Sequence, residues 1–228
     1  MSFADKLAYA WELRGLILKS LGISLLIALG AVVIGFVIGV ILAVIRIAPK
    51  TNPVIKILDG FAQTYITVIR GTPTMVQLLI MYSSILVVFK YVDTNLLVPI
   101  IAFGINSGAY MAEIIRAGIN SVDKGQMEAG RAVGLSYGVT MWHVILPQSA
   151  RNILPPLGNE AIVLVKETSV ALIIGVQEFF TAIKGLVNST YNVITPYLFA
   201  AIVYFITVFI MSLVLKLIER RLGKSDRK

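Results

Sequence analysis

Glu128-Ala129-Gly130-Arg131-Ala132-Val133-Gly134 opens the stretch EAGRAVGLSYGVTMWHVILP, residues 128–147, and the reading of this stretch decides the fold. It is polar and small-residue-rich, and it interrupts an otherwise very apolar chain. Glu128 is expected in the first turn of a helix, where the helix dipole favours negative charge. Gly134 is a poor helix former but lets another backbone approach closely. Leu146-Pro147 is predicted to end the stretch, because Pro cannot continue a helix and pushes the preceding residue out of it. The expected product is a compact helix-turn-helix that offers a flat small-residue surface to a partner.

Working outward, the chain has 228 residues, 57% hydrophobic and 14% charged. Soluble domains carry roughly 45–50% apolar residues. Several stretches reach the ~20 apolar residues that cross a bilayer, so the sequence reads as one integral membrane domain over residues 1–228. The net charge of +8 sits at span ends and in the tail, which speaks for a lipid bilayer and against nucleic acid as partner. With no Cys, disulfides and thiolate metal sites are excluded. The first apolar run is too long, and lacks an evident cleavage site, for a removable signal peptide.

Phe3, Leu7 and Trp11 recur at four-residue spacing, so residues 1–14 are predicted to form a helix in the membrane interface. Spans are predicted at about 21–47, 74–88, 96–117, 153–175 and 196–218, giving an all-α protein with five crossings. Gly22, Gly30, Gly35 and Gly39 of the first span suit close helix contact in lipid. Residues 54–70 carry Asp59, Gln63 and Arg70 and are too polar for a lipid-facing span, so they are read as interfacial or protein-buried. Five crossings put the 46–56 turn, the 116–151 loop and the basic tail on one side. The positive-inside bias makes that side cytoplasmic, with the N-terminus out and the C-terminus in.

Polar groups at membrane depth are expensive and need a partner or a task. Thr74, Gln77, Met81 and Ser84 share one helical face; Thr74 and Ser84 are equally explained as interhelical hydrogen bonds. Asn106, Tyr110 and Glu113 stack at i, i+4 and i+7, and Glu113 is expected to pair with Arg116. Asn106 and Ser107 lie deeper and are cavity candidates. Pro155-Pro156-Leu157-Gly158-Asn159-Glu160 is predicted to break the fourth span and set an acid beside the break. That carboxylate would attract a cation such as a guanidinium or ammonium, unless it pairs with Lys166. Lys166 and Glu167 are read as network partners, and His143 as a surface residue. The candidate substrate-binding set is Glu160, Asn159, Gln77, Asn106, Ser107, Thr74 and Met81.

The spacing of Glu128, Ala129, Gly134, Leu146 and Pro147 resembles the coupling loop of permease subunits in binding-protein-dependent ABC importers. Gly130 stands where that pattern usually has Ala, and Val144 where it has Ile. Arg70-Gly71-Thr72-Pro73 running to Gln77-Leu78, Tyr110-Met111-Ala112-Glu113, and Lys166-Glu167-Thr168-Ser169 resemble segments of the polar amino-acid subgroup. The resemblance implies a type I importer fold and a 118–150 cytoplasmic coupling loop, with Glu128, Ala129, Gly130, Gly134, Leu146 and Pro147 docking on an ATPase. It implies a multi-pass subunit of the prokaryotic inner membrane that carries a polar, cationic amino acid such as arginine, lysine or histidine. The implied partners are a second permease chain, identical or paralogous, two ABC ATPase subunits and an extracytoplasmic solute-binding protein. The chain is expected to be no enzyme and to hold no cofactor: it lacks the GxxxxGK[ST] loop, so ATP and Mg would be bound by the ATPase. The same carboxylates, Glu160 and Glu113, would also suit the proton relay of a secondary transporter.

Overall fold

The computed structural model describes residues 14–88 and 96–223, and all regular structure among them is helical. The expected interfacial helix therefore lies outside the described residues, apart from Arg14. Helix α1 (Arg14–Ile47) buries Ser20, Ser24, Ala28, Ala31, Gly35, Gly39 and Ala43, a small residue every third or fourth position along one stripe. The stripe faces α4 (Leu97–Asn120), which answers with buried Gly104, Gly108 and Ala112. A Cβ on Gly39 would stand 2.7 Å from Met111 Cβ, and one on Gly104 2.7 Å from Ile34 Cβ. Small residues are what allow two backbones this close where lipid supplies no hydrophobic drive. Gly22, expected in the same contact, faces open space.

The contacts run Gly30 to Ile100, Gly35 to Ser107 and Gly39 to Met111, so α1 and α4 are parallel. Helix α7 (Leu146–Glu167) runs the other way, with Ile153 on Gly118 and Glu160 on Ser107. Helix α9 (Ile194–Gly223) seats Leu215 on Gly158, and near its start Tyr204 meets Phe179 edge to face at 5.1 Å. The ends of α1, α4 and α9 therefore gather at one end of the bundle, the sidedness that the basic loops require.

Helices Arg14–Ile47, Leu97–Asn120 and Ile194–Arg221 are each long and apolar enough to cross a membrane. Tyr137–Ile174 with Phe179–Thr190, bent by 54°, pass as a fourth crossing. Helix α3 (Thr74–Val88) is a 15-residue apolar helix, about 22 Å long and shorter than the ~30 Å hydrocarbon core. It follows α2 (Pro53–Gly71) across Thr72-Pro73. Asn52 caps α2 by accepting from the Val54 N–H at 2.8 Å, with Pro53 in the first turn. One face of α2 packs Ile66 on Ala109 and Ala112; Asp59 reaches Arg46 at 2.7 Å and Lys50 at 2.5 Å. The Lys50 hydrogen bond, with Arg46 assisting against partial desolvation, holds the Asp59 carboxyl below its ordinary value. That contribution is present above the normal carboxylate range and is lost as pH falls through the lowered value.

Two proline expectations are corrected. Pro147 does not end a helix: a short α6 (Tyr137–Thr140) runs through a π-turn (Met141–Ile145) into α7. The wide turn lets the Leu146 N–H reach the Met141 carbonyl and accommodates the N–H that Pro147 lacks. Pro155 and Pro156 do not break α7 either. The N–H groups that the two prolines lack would have donated to the carbonyls of Arg151 and Asn152, both exposed residues near the hairpin end. The break falls later. Helix α7 tightens into a 3-10 segment (Thr168–Ile174) and stops at Gly175, with φ +80°, before α8 (Phe179–Thr190).

Gly39→Ala is expected to lower the thermal midpoint of the detergent-purified protein, since overpacking costs roughly 1–3 kcal/mol. Gly22→Ala should leave the midpoint unchanged or raise it, because the added methyl meets nothing and helix propensity improves.

Candidate functional site: an exposed hairpin and a polar seam

Helix α5 (Lys124–Ala132) starts at Asp123, whose carboxylate accepts from the Gly125 N–H at 2.6 Å. Asp123, not Glu128, is thus the acid at this helix start. Glu128 lies a turn further on, exposed beside exposed Ala129. At the other end the Leu135 N–H bonds to the Gly130 carbonyl at 3.0 Å, and the Gly134 N–H to Arg131 at 3.1 Å. This is a Schellman closure, with Gly134 at φ +88° in the left-handed conformation that such an end needs. Gly134 therefore turns the chain; nothing approaches it within 4 Å. The close approach is at Gly130, where a Cβ would lie 2.5 Å from Thr140 Cγ2. Thr140 is fully buried between the two arms and donates to the Ser136 carbonyl at 3.0 Å. Ser136 caps the second arm through the Val139 N–H.

The hairpin is thereby a rigid knob, and it is not only small residues that it presents. Val133 (77% exposed), Trp142 (69%), Val139 and Leu135 stand out from it. Leu146 is half-buried and Pro147 exposed at the root of α7. His143 is exposed, with Nδ1 3.1 Å from the Val139 carbonyl.

Within the bundle the glycine contact fixes Asn106 and Ser107, both buried on α4. Asn106 Nδ2 donates to Gln77 Oε1 at 2.9 Å, and Ser107 Oγ donates to Glu160 Oε1 at 2.9 Å. These four expected residues meet in one polar seam. Gln77 also donates to the Ile69 carbonyl at 2.8 Å and the Thr72 hydroxyl at 2.7 Å, so it closes the α2–α3 break. Its polarity, read from sequence as a cavity wall, is thus engaged inside the protein. Glu160 is half-buried and makes no ion pair among the described residues; Lys166 is exposed and not its partner. Three expected residues stand apart: Thr74 is half-buried at the start of α3, Met81 packs on the apolar core, and Asn159 is exposed.

Open space lies along α4 toward the hairpin end. A cleft of about 720 Å³ is lined by Arg70, Tyr110, Glu113, Ala117, Ser121 and Asn152, among others. Glu113 is gripped by Arg116 through two bonds, at 3.0 and 2.7 Å, the expected pair.

Glu178 was not singled out from the sequence. It is fully buried and caps α8, accepting from Phe180 N–H at 2.9 Å, Thr181 N–H at 2.7 Å and Ser24 Oγ at 3.0 Å. Ser24 in turn accepts from the Phe179 N–H at 3.1 Å, so this carboxylate pins α8 to α1. Its position after the Gly175 turn and before Phe179-Phe180 is the available signal, an acid at a helix start.

Residues 35–224 match the family described as "Binding-protein-dependent transport system inner membrane component". The chain is 36% identical over 210 residues to the arginine transport system permease protein ArtQ of Bacillus subtilis, covering 92% of this chain and 94% of that one. It is 38% identical over 192 residues to a putative glutamine transport system permease protein GlnP of Rickettsia typhi, covering 84% and 86%. A crystal structure of an amino acid ABC transporter with histidines superposes with TM-score 0.86 at 37% identity, covering 97% of this chain and 99% of that one. The chain belongs to the binding-protein-dependent transport system inner membrane component family, as an amino-acid permease subunit of an ABC importer whose ATP hydrolysis is carried by a separate subunit.

Proposed function

We propose that this permease imports a polar, cationic amino acid, and that Glu160 is the group that selects it. One observation carries this: a half-buried carboxylate on a candidate membrane-crossing rod that holds a serine hydroxyl and no cation among the described residues. An unpaired acid in such a place is costly unless a cation visits it, and a guanidinium or ammonium would complete it. Asn106, adjacent to Ser107 on α4, brings a neutral amide to the same level, with its Nδ2 held by Gln77 Oε1. Relatives are named for arginine, a cation, and for glutamine, a neutral solute, and we assign the discrimination between such solutes to the acid. The bound solute would be delivered by a solute-binding protein on the outer face, with the N-terminus of this chain outside and its C-terminus inside.

In this reading two permease chains and two ATPase subunits form the moving assembly. The exposed Val133, Val139 and Trp142, with Glu128 beside them, are the surface for an ATPase groove. Closure of the ATPases on ATP and Mg would push the knob. Because α6, the π-turn, α7 and the 3-10 segment form one rod from Tyr137 to Ile174, that push would reach Glu160 directly.

Three outcomes are expected. Glu160→Gln should weaken binding of cationic amino acids by about ten- to hundredfold, the loss of a charge-assisted hydrogen bond of ~1.5–3 kcal/mol, and leave glutamine binding unaltered. Calorimetry on the detergent-purified assembly checks this. Glu128→Lys should leave the protein inserted and ATP hydrolysed while uptake into proteoliposomes falls; unaltered uptake would count against the docking surface. Gly130→Ala should reduce uptake by forcing Thr140 from its seat, and Gly130→Ala with Thr140→Ala should restore much of it.

A further inference from the structure

Below the polar seam, the wall of the bundle changes chemistry. A cavity of about 400 Å³ is lined by Arg46 of α1, by Gln63, Thr67 and Arg70 of α2 and by Glu113 and Arg116 of α4, with others. It adjoins the larger cleft through Arg70 and Glu113. Tyr110, over whose ring the Arg70 guanidinium lies at 5.2 Å, is one helical turn from Asn106. Tyr110 lines the larger cleft, so that cleft begins about one helical turn from Asn106 and joins the arginine-lined cavity.

Its charge is not balanced. Glu113 is occupied by Arg116, and Asp59 is shared between Arg46 and Lys50 on a single oxygen, Oδ1. Arg70 makes no ion pair among the described residues and rests on an aromatic face. Three cations line the cavity, Arg46, Arg70 and Arg116, against one lining carboxylate, Glu113, which Arg116 already engages; Asp59, engaged by Arg46 and Lys50, is not part of the lining. In addition, Arg46 Nε is buried and donates to nothing among the described residues. A buried donor without an acceptor costs about 1–3 kcal/mol, so the arrangement is incomplete as it stands. Planar guanidinium forks are built for a two-oxygen anion and donate to both of its oxygens.

We propose that this arginine-lined cavity is a carboxylate site on the inward half of the path, which takes the α-carboxylate of the departing amino acid. The inference rests on the reading that the chain carries an amino acid through the bundle. The two sites then divide recognition: the seam at Glu160 reads the side chain, and the arginine cavity reads the group common to all amino acids. Excess positive charge repels a bare cation, so only a solute bearing a carboxylate is held there. Amino acid accumulated on the inner side would occupy this site and slow further import.

The test uses the complete importer in proteoliposomes with ATP sealed in the lumen, which then stands for the cytoplasm. The lumen is preloaded with arginine or with agmatine, its decarboxylated form, or with glutamine and 4-aminobutanamide if glutamine is the solute transported. Initial uptake of labelled amino acid is then read. Luminal amino acid should inhibit and its decarboxylated form should not. Arg70→Gln should raise the half-inhibiting luminal concentration by about tenfold, equivalent to ~1.4 kcal/mol, and Arg70→Lys should restore part of the effect. Equal inhibition by the decarboxylated compound, an unaltered response in Arg70→Gln, or inhibition that follows the anionic lipid content of the vesicle would each overturn the proposal. Absence of any ATP-driven amino-acid uptake by the unmodified importer would instead overturn the function on which it rests.

Discussion

The structure depends on the close contact between α1 and α4. In lipid, two apolar helices gain nothing from excluding water between them, so their association rests on packing at short range. The stripe Ser24, Ala28, Ala31, Gly35 and Gly39 provides that range by removing side chains where Met111, Ser107 and Ile100 must come in. Everything functional is placed by it. Asn106 and Ser107 are held at fixed depth, Ser107 meets Glu160 of the antiparallel α7, and Gly118 takes Ile153 at the other end of the same helix. Glu178 adds a second clamp by tying α8 to Ser24 of α1 through buried hydrogen bonds.

On this body the hairpin is a continuation, not an appendage. The Schellman closure at Gly134 and the Gly130–Thr140 contact fix one arm on the other, and the second arm runs without interruption into α7. A permease subunit that borrows its motion from an ATPase needs such stiffness, because a flexible link would absorb the push. It also explains why the irregular backbone sits where it does. The π-turn lies at the root of the hairpin and the 3-10 segment and Gly175 turn at the far end of the rod, while the stretch bearing Glu160 is regular. Membership in the importer family leaves the secondary-transporter reading of Glu160 and Glu113 without support, and Glu113 is in any case locked to Arg116.

Much of this was legible in the residues. Small-residue periodicity in the first span announced a tight helix pair, and the basic loops announced which ends lie together. The i, i+3 spacing of Glu113 and Arg116 announced their pair. The prolines misled because proline reports only a missing N–H and a clash, and both can be absorbed. A π-turn accommodates Pro147, and exposed residues bear the carbonyls behind Pro155 and Pro156. Gly134, read as a place of close approach, makes the turn, and the approach falls at Gly130 instead, for a similar reason: glycine marks either a left-handed turn or a close approach, and only the position of Thr140 distinguishes them. Glu178 and the Arg46–Arg70–Arg116 cavity were out of reach, since both are assembled from helices far apart in sequence.

The central claim is that the hairpin and the membrane core move as one body. The chain has no Cys, so spin labels can be placed cleanly at Lys124 on the hairpin and at Leu29 on α1, both exposed and both outside the docking surface. Their separation is measured by pulsed electron resonance in the complete importer, with and without bound ATP. Within one permease chain a single distance is expected, the same in both states; a shift of several ångströms on ATP binding would show the hairpin hinging at its root and would contradict movement as one body.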